Sequence, residues 1–330
     1  MHCLRKSALA WIACISTCLL LTVTTSAWAQ SYPARPISMV VLLAAGGVTD
    51  VAARAISAEM AKSLDGTVIV ENRPGAAGNI GAAAVARSQP DGYTVCFCSS
   101  APLTLLPAQR EDPSFKPEDL VPVSLLYRVD LFLVARRGLG VNSLKDLIAL
   151  AKPKPGKLSY GSTGAGGITH LGMELFKKMS GIDVVHVPYK GGAPLITDLI
   201  GNQIDLGVVS SLEAVAQQQD GKITVLASLG ASRFPLLKDV PTISESYPGY
   251  LADSWAGLFV PVGTPTPIID RLRTTAHSAM NLPDIRERLA TLGITPADDP
   301  SPEAFSKMMR DERAKWTGLL KEIGPLSGAN

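Results

Sequence analysis

VVLLAAGGVTDVAAR, residues 40–54, reads as a buried strand that stops at two glycines and turns directly into a helix. Val40, Val41, Leu42 and Leu43 form a short apolar run, and Gly46 and Gly47 permit a tight turn whose backbone carries no side chain to fend off a ligand. Thr49 and Asp50 supply helix-start chemistry. Beyond them Ala52, Ile56, Met60 and Leu64 recur at four-residue steps, a stripe suited to packing on a sheet. A helix start surrounded by small residues presents unpaired N–H groups and the positive end of the helix dipole, which together favour an anion. Such turns are also common as plain changes of chain direction, so this one alone does not assign a site.

The same unit recurs. Residues 157–161 read as a strand, Ser162-Thr163-Gly164-Ala165-Gly166-Gly167 as a small-residue loop, and residues 170–179 as a helix with Leu171, Leu175 and Met179 on one stripe. Residues 184–187 are a strand before a third glycine turn, Gly191-Gly192, and residues 204–209 are the next strand. Residues 93–98 form a strand that delivers Ser99 and Ser100 to its carboxyl end, where open α/β sheets bind ligands. Short apolar strands alternating with helices throughout predict an α/β fold with largely parallel sheets. Two glycine-rich helix starts more than a hundred residues apart could hold one anion between them. Neither loop carries an arginine for a phosphate clamp.

Residues 1–29 carry Arg5 and Lys6, an apolar run over 8–23, and Ala27-Trp28-Ala29, the pattern of a signal peptide cleaved after Ala29. The whole chain has 31 basic and 29 acidic residues in 330. Losing Arg5 and Lys6 balances the charge, which argues against nucleic-acid or membrane partners. Roughly 300 mature residues exceed one ordinary core, so two domains are the default. Of the 5 cysteines only Cys96 and Cys98 follow the signal. One residue apart on a strand, they read as buried free thiols.

Catalytic signatures are absent. His170, His186 and His277 are not spaced as metal ligands, and there is no nucleophile elbow, P-loop or C-x-x-C. His170, at a helix start, reads as a structural donor to backbone. No cofactor is expected.

Longer motifs carry a resemblance. Tyr32-Pro33 with Arg35-Pro36-Ile37, Gly46-Gly47-Val48-Thr49-Asp50, Val70-Glu71-Asn72-Arg73-Pro74-Gly75-Ala76 and Pro90-Asp91-Gly92-Tyr93-Thr94 are joined by later runs. These are His170-Leu171 with Glu174-Leu175-Phe176, Val187-Pro188-Tyr189-Lys190-Gly191, Ser254-Trp255 and Pro261-Val262-Gly263-Thr264-Pro265. In this the mature chain resembles the Bug family of periplasmic receptors of tripartite tricarboxylate transporters. The resemblance implies a two-lobed type II periplasmic binding protein fold with the ligand cleft between lobes, no enzymatic activity, and a small organic acid as ligand. Residues 30–131 and 255–330 would form lobe one and residues 132–254 lobe two, with crossings at 130–135 and 255–261. The implied partners are the membrane subunits of such a transporter, or a sensor kinase if the protein signals instead, and the protein would be a monomer. Ligand contacts would come from Leu43, Gly46, Gly47, Val48 and Thr49, from Ser99, from Ser162, Thr163, Ala165, Gly166 and Gly167, and from Val209 and Ser210. Three departures fall on that set: Leu42-Leu43 replaces a proline and an aromatic ring, Gly167 a serine, and Val209 an aspartate. They make the pocket more apolar and argue against an amino acid.

Overall fold

The computed structural model describes residues 32–109, 115–297, 301–324 and 326; the expected signal peptide lies outside the described residues. Of the described residues, 32–34 belong to a separate N-terminal unit, in which Tyr32-Pro33 is cis. The remainder, from Arg35, is one compact unit built on two sheets.

The opening stretch gives β1 (Ile37–Val41) and α1 (Val48–Leu64). Ala52, Ile56, Met60 and Leu64 are all buried, as the four-residue stripe requires. β2 (Val68–Asn72), α2 (Asn79–Ala86) and β3 (Thr94–Ser99) follow, then a wide π turn at Ala101–Leu105, α3 (Leu106–Gln109) and β4 (Leu120–Val129). After Asp130 the chain enters the second sheet as β5 (Leu131–Arg136). That sheet is completed by α4 (Leu144–Ala151), β6 (Ser159–Ser162), α5 (Ile168–Ser180), β7 (Val185–Pro188), α6 (Gly192–Ile200), β8 (Leu206–Ser210), α7 (Ser211–Gln219) and β9 (Ile223–Ser228). The chain then returns to the first sheet through β10 (Ser254–Pro261), α8 (Thr266–Met280), α9 (Pro283–Thr291), β11 (Ile294–Pro296) and α10 (Pro302–Ile323).

Strand order is β11-β4-β10-β3-β1-β2 in the first sheet and β7-β6-β8-β5-β9 in the second. The expectation of largely parallel sheets needs correction. β1 pairs parallel with β2 and β3, and β6 with β7 and β8, but every pairing of β5, β10 and β11 is antiparallel. Only a strand fed by a helical crossover within its own sheet is bound to run parallel. β5 and β10 arrive from the other sheet, and the apolar pattern that reveals a strand carries no sign of its direction.

β5 is buried on both faces, which is why LFLVA reads as an unbroken apolar run. Leu131, Leu133 and Ala135 pack with Leu171 and Phe176 of α5, while Phe132 and Val134 pack with Leu195 and Leu199 of α6. In the first sheet Val40, Cys96 and Cys98 share a core with Trp255, Phe259 and Phe305. α10 serves both halves: Phe305 lies in the core of the first sheet, and Trp316 and Leu319 lie in that of the second.

Cys96 and Cys98 form a disulfide, not the two free thiols expected. Alternate residues of a fully extended strand stand about 6.8 Å apart at Cα. Here the strand is shortened to 5.4 Å, within disulfide reach.

Charge collects where the chain changes sheets. Arg128 pairs with Asp253, and the Asp130 carboxylate accepts from the Thr295 hydroxyl at 3.4 Å. Burial, reinforced by the Asp253 charge, pushes Asp130 up to about 6. An acid whose folded pKa is raised binds its proton more tightly when folded, so its contribution to stability is lost as pH rises from about 4 to about 6. Asp130→Asn should therefore raise the thermal midpoint at pH 7 by about 2–5 °C and flatten its dependence between pH 4 and 6. An unchanged profile by calorimetry would show that this carboxylate sits in water.

Candidate functional site

A cavity of about 310 Å³ lies among the loops of both sheets. Its walls come from Leu43 and Thr49 at the start of α1, Ser99, Ser100 and Ala101 after β3, Tyr127 and Val129 on β4, Thr163, Gly167 and Ile168 at the start of α5, and β10. Among the described residues, no lysine, arginine, histidine, aspartate or glutamate belongs to that wall.

Each helix start is held open by charge and hydrogen bonds behind it. Asp50, buried in the first turn of α1, accepts from the Gly46 N–H at 2.9 Å, from Arg54 Nε at 3.0 Å and from Asn72 Nδ2 at 2.9 Å. The Asn72 amide also donates to the Leu43 carbonyl at 3.0 Å, which pins the loop to the end of β2. Arg54 first, then the Gly46 and Asn72 bonds, hold the Asp50 carboxyl at about 2, so it stays ionised. Gly47 and Gly167 are the N-cap residues of α1 and α5, and neither helix receives a side-chain cap. The first N–H groups of both helices are therefore without the partner a Ser or Asp cap would give.

Tyr127 supplies a further unsatisfied donor. The residue is 1 % exposed, and its hydroxyl, close to Thr49, has no hydrogen-bond partner of good geometry among the described residues. Burial pushes the phenol above its ordinary range, so it remains a neutral donor. Trp255, on the adjoining strand, is fixed by its indole N–H, which donates to Glu312 at 2.7 Å, while Trp316 donates to the same carboxylate at 3.3 Å. Burial raises the Glu312 pKa against these bonds.

Of the residues anticipated from sequence, Leu43, Thr49, Ser99, Thr163 and Gly167 line the cavity. Gly47 and Ala165 lie in the flanking loops and Val48 opens α1, and none of the three belongs to the wall. Other groups are already engaged. The Gly46 N–H is taken by Asp50, the Ser162 hydroxyl by His186 and the Gly164 carbonyl, and the Gly166 N–H by His170. Ser210 gives both its N–H and its hydroxyl to Glu213, in the capping box of α7. Val209 is a correction: it is fully buried in the core beneath α6, so its side chain meets Phe132 and Leu195 and not the cavity. β8 is covered on both faces, Leu206 and Val208 lying in the core with Leu171 and Val209 in the one beneath α6. His170 accepts from backbone where a donor was expected.

Tyr127 and Val129 were missed because β4 was passed over. Its alternation of Val123, Leu125 and Tyr127 could have signalled a strand, but Pro122 interrupts its start. Trp255 was noted for its motif, not as a wall residue.

A family model described as the tripartite tricarboxylate transporter family receptor matches residues 52–325. The chain belongs to this family. The receptor is 36 % identical over 299 residues to the protein BugT of Bordetella pertussis, covering 90 % of this chain and 91 % of that protein. An R. palustris protein solved with adipate is similar at 33 % identity and a TM-score of 0.77, covering 89 % of this chain and 99 % of that one. MatC from Rhodopseudomonas palustris, solved with bound malate, is similar at 29 % identity and a TM-score of 0.74, covering 88 % and 100 %. The receptor thus has the α/β periplasmic binding protein fold and is a solute-binding protein, not an enzyme. Among the described residues no helix is long and apolar enough to cross a membrane.

Proposed function

We propose that this receptor captures a small organic acid between two lobes and delivers it to the membrane subunits of a tripartite tricarboxylate-type transporter. The observation that carries the reading is the convergence of two uncapped helix starts, α1 and α5, on one cavity that no charged side chain lines among the described residues. One carboxylate there gains about 0.3–1 kcal/mol from each helix end when exposed and up to about 2 when partly buried. Each hydrogen bond to the charged group adds about 1.5–3 kcal/mol. In this reading lobe one is built on the first sheet, lobe two on the second, and the crossings are Asp130 and the segment before β10. Thr49, Ser99, Thr163 and the N–H groups beside Gly47 and Gly167 are the ligand donors. The chain would reach the periplasm by losing its first 29 residues, consistent with the apolar run and A-x-A site there.

With no cationic side chain in the wall among the described residues, the site suits one carboxylate, or two at opposite ends, better than a compact trianion. Leu43, Val129 and Ile168 favour an uncharged, partly apolar body. A thermal-shift screen of monocarboxylates, dicarboxylates including adipate and malate, citrate, aspartate and glutamate tests this. The largest shift is expected from a monocarboxylate or dicarboxylate with an uncharged body, and a larger response to citrate or glutamate would overturn the assignment.

A further inference from the structure

The Gly166 peptide is gripped from two directions. Its N–H donates to His170 Nδ1 at 3.1 Å, within the second half of the molecule. Its carbonyl accepts from Gln109 Nε2 at 2.8 Å, and Gln109 ends α3, which belongs to the segment between β3 and β4 of the first sheet. The same amide nitrogen donates to the Leu105 carbonyl at 3.1 Å, and Leu105 lines the cavity. Gly166 has φ +73°, and a Cβ there would stand 2.5 Å from Gln109 Oε1, so any other residue would strain the backbone and push the Gln109 amide aside.

Behind this peptide is a buried stack. His170, 1 % exposed, lies on His186 with ring centroids 3.6 Å apart, and His186 Nε2 is 2.7 Å from the Ser162 hydroxyl. Ser162 gives its own proton to the Gly164 carbonyl at 3.1 Å, which leaves His186 as the donor to Ser162. Since His170 Nδ1 accepts from Gly166, its proton is on Nε2, facing Glu174 at 3.9 Å. Glu174 in turn binds the Tyr160 hydroxyl at 2.7 Å and Lys177 at 2.9 Å. Burial, with the nearby His186 and Lys177, holds His170 down at about 3. Its Nδ1 therefore stays an acceptor at any pH near neutrality.

We propose that the Gly166 peptide is a latch across the cavity mouth, with His170 and Gln109 as positioning residues: His170 orients the peptide from behind and Gln109 fastens it to the opposite side. The cavity wall at Thr163, Gly167 and Ile168 is carried by the same loop, so loosening the latch displaces the donors at the start of α5. The ligand arm of the test rests on the binding reading above, whereas the latch itself does not.

The experiment uses the mature chain and three variants, Gln109→Leu, His170→Leu and His170→Asn. In ligand-free protein, Gln109→Leu should enlarge the radius of gyration in small-angle scattering while the Gly166 amide stays protected from exchange. It should weaken adipate binding roughly three- to tenfold, the effect of one neutral hydrogen bond on the competent state. His170→Leu should speed Gly166 amide exchange by about tenfold or more, and His170→Asn, whose side-chain oxygen replaces the Nδ1 acceptor, should restore it. Unchanged radius and affinity in Gln109→Leu would overturn the latch. So would a folded His170→Asn with exchange as fast as that of an unprotected amide. If His170→Leu fails to fold, the other two variants still decide. If the parent protein answers to adipate and every other acid with no binding, the functional reading fails, yet exchange and scattering still settle the latch.

Discussion

Gly167→Val should weaken adipate binding by about a hundredfold or more, a loss of about 2.7 kcal/mol, while leaving the thermal midpoint within about 2 °C. Gly167 has φ −76°, and a Cβ there would meet only the Gly164 carbonyl at 3.4 Å, so a side chain can be accommodated by the fold. It lines the cavity at the open start of α5, where a branched side chain would occupy ligand space and shield the helix N–H groups. The neighbouring Gly166→Val should behave in the opposite way. Its positive φ would strain a branched residue and its Cβ would displace the Gln109 amide, and the expected result is a midpoint lower by about 5 °C or more. Calorimetric titration and melting of the two variants would separate them. Full affinity in Gly167→Val would remove the start of α5 from the binding site.

Tyr127→Phe is the second large effect. Among the described residues the buried hydroxyl has no hydrogen-bond partner, and a buried donor left so costs free energy that a ligand acceptor would recover. Removing it should lower affinity for a ligand carboxylate about ten- to a hundredfold, the range of one hydrogen bond to a charged group, with the unliganded midpoint unchanged or slightly higher. A midpoint that falls while affinity holds would mean the phenol bonds to the protein and takes no part in recognition.

The contrast between Gly167 and Gly166 shows what sequence could and could not reveal. The strand–glycine–helix units were legible because apolar spacing and glycine placement are local, and Ala52, Ile56, Met60 and Leu64 are buried as their spacing required. Which groups in those loops remained free was not legible. The Gly46 and Gly166 N–H groups are occupied by Asp50 and His170, partners one helical turn onward whose orientation the spacing alone does not give. Strand direction was hidden for the same reason, since β10 is placed between β3 and β4 by a return from the other sheet. The surroundings of Val209 were not legible because β8 is buried on both faces, and its apolar run does not show that both sides are core. The 5.4 Å separation of Cys96 and Cys98 depends on a local shortening of β3 that no residue type announces.

The last helix gives the chain an order of completion. Phe305 fills the core around Trp255, and Trp316 and Leu319 fill the core around Leu171 and Phe176, so one terminal segment is the keystone of two arches. The strands of the second sheet are all synthesised before α10, yet that sheet lacks two of its buried side chains until the end of the chain exists. The Glu312 carboxylate that anchors both Trp255 and Trp316 is equally late. Among the described residues each core therefore takes buried side chains from α10, the latest of its helices in chain order, so loss of this one helix would open both.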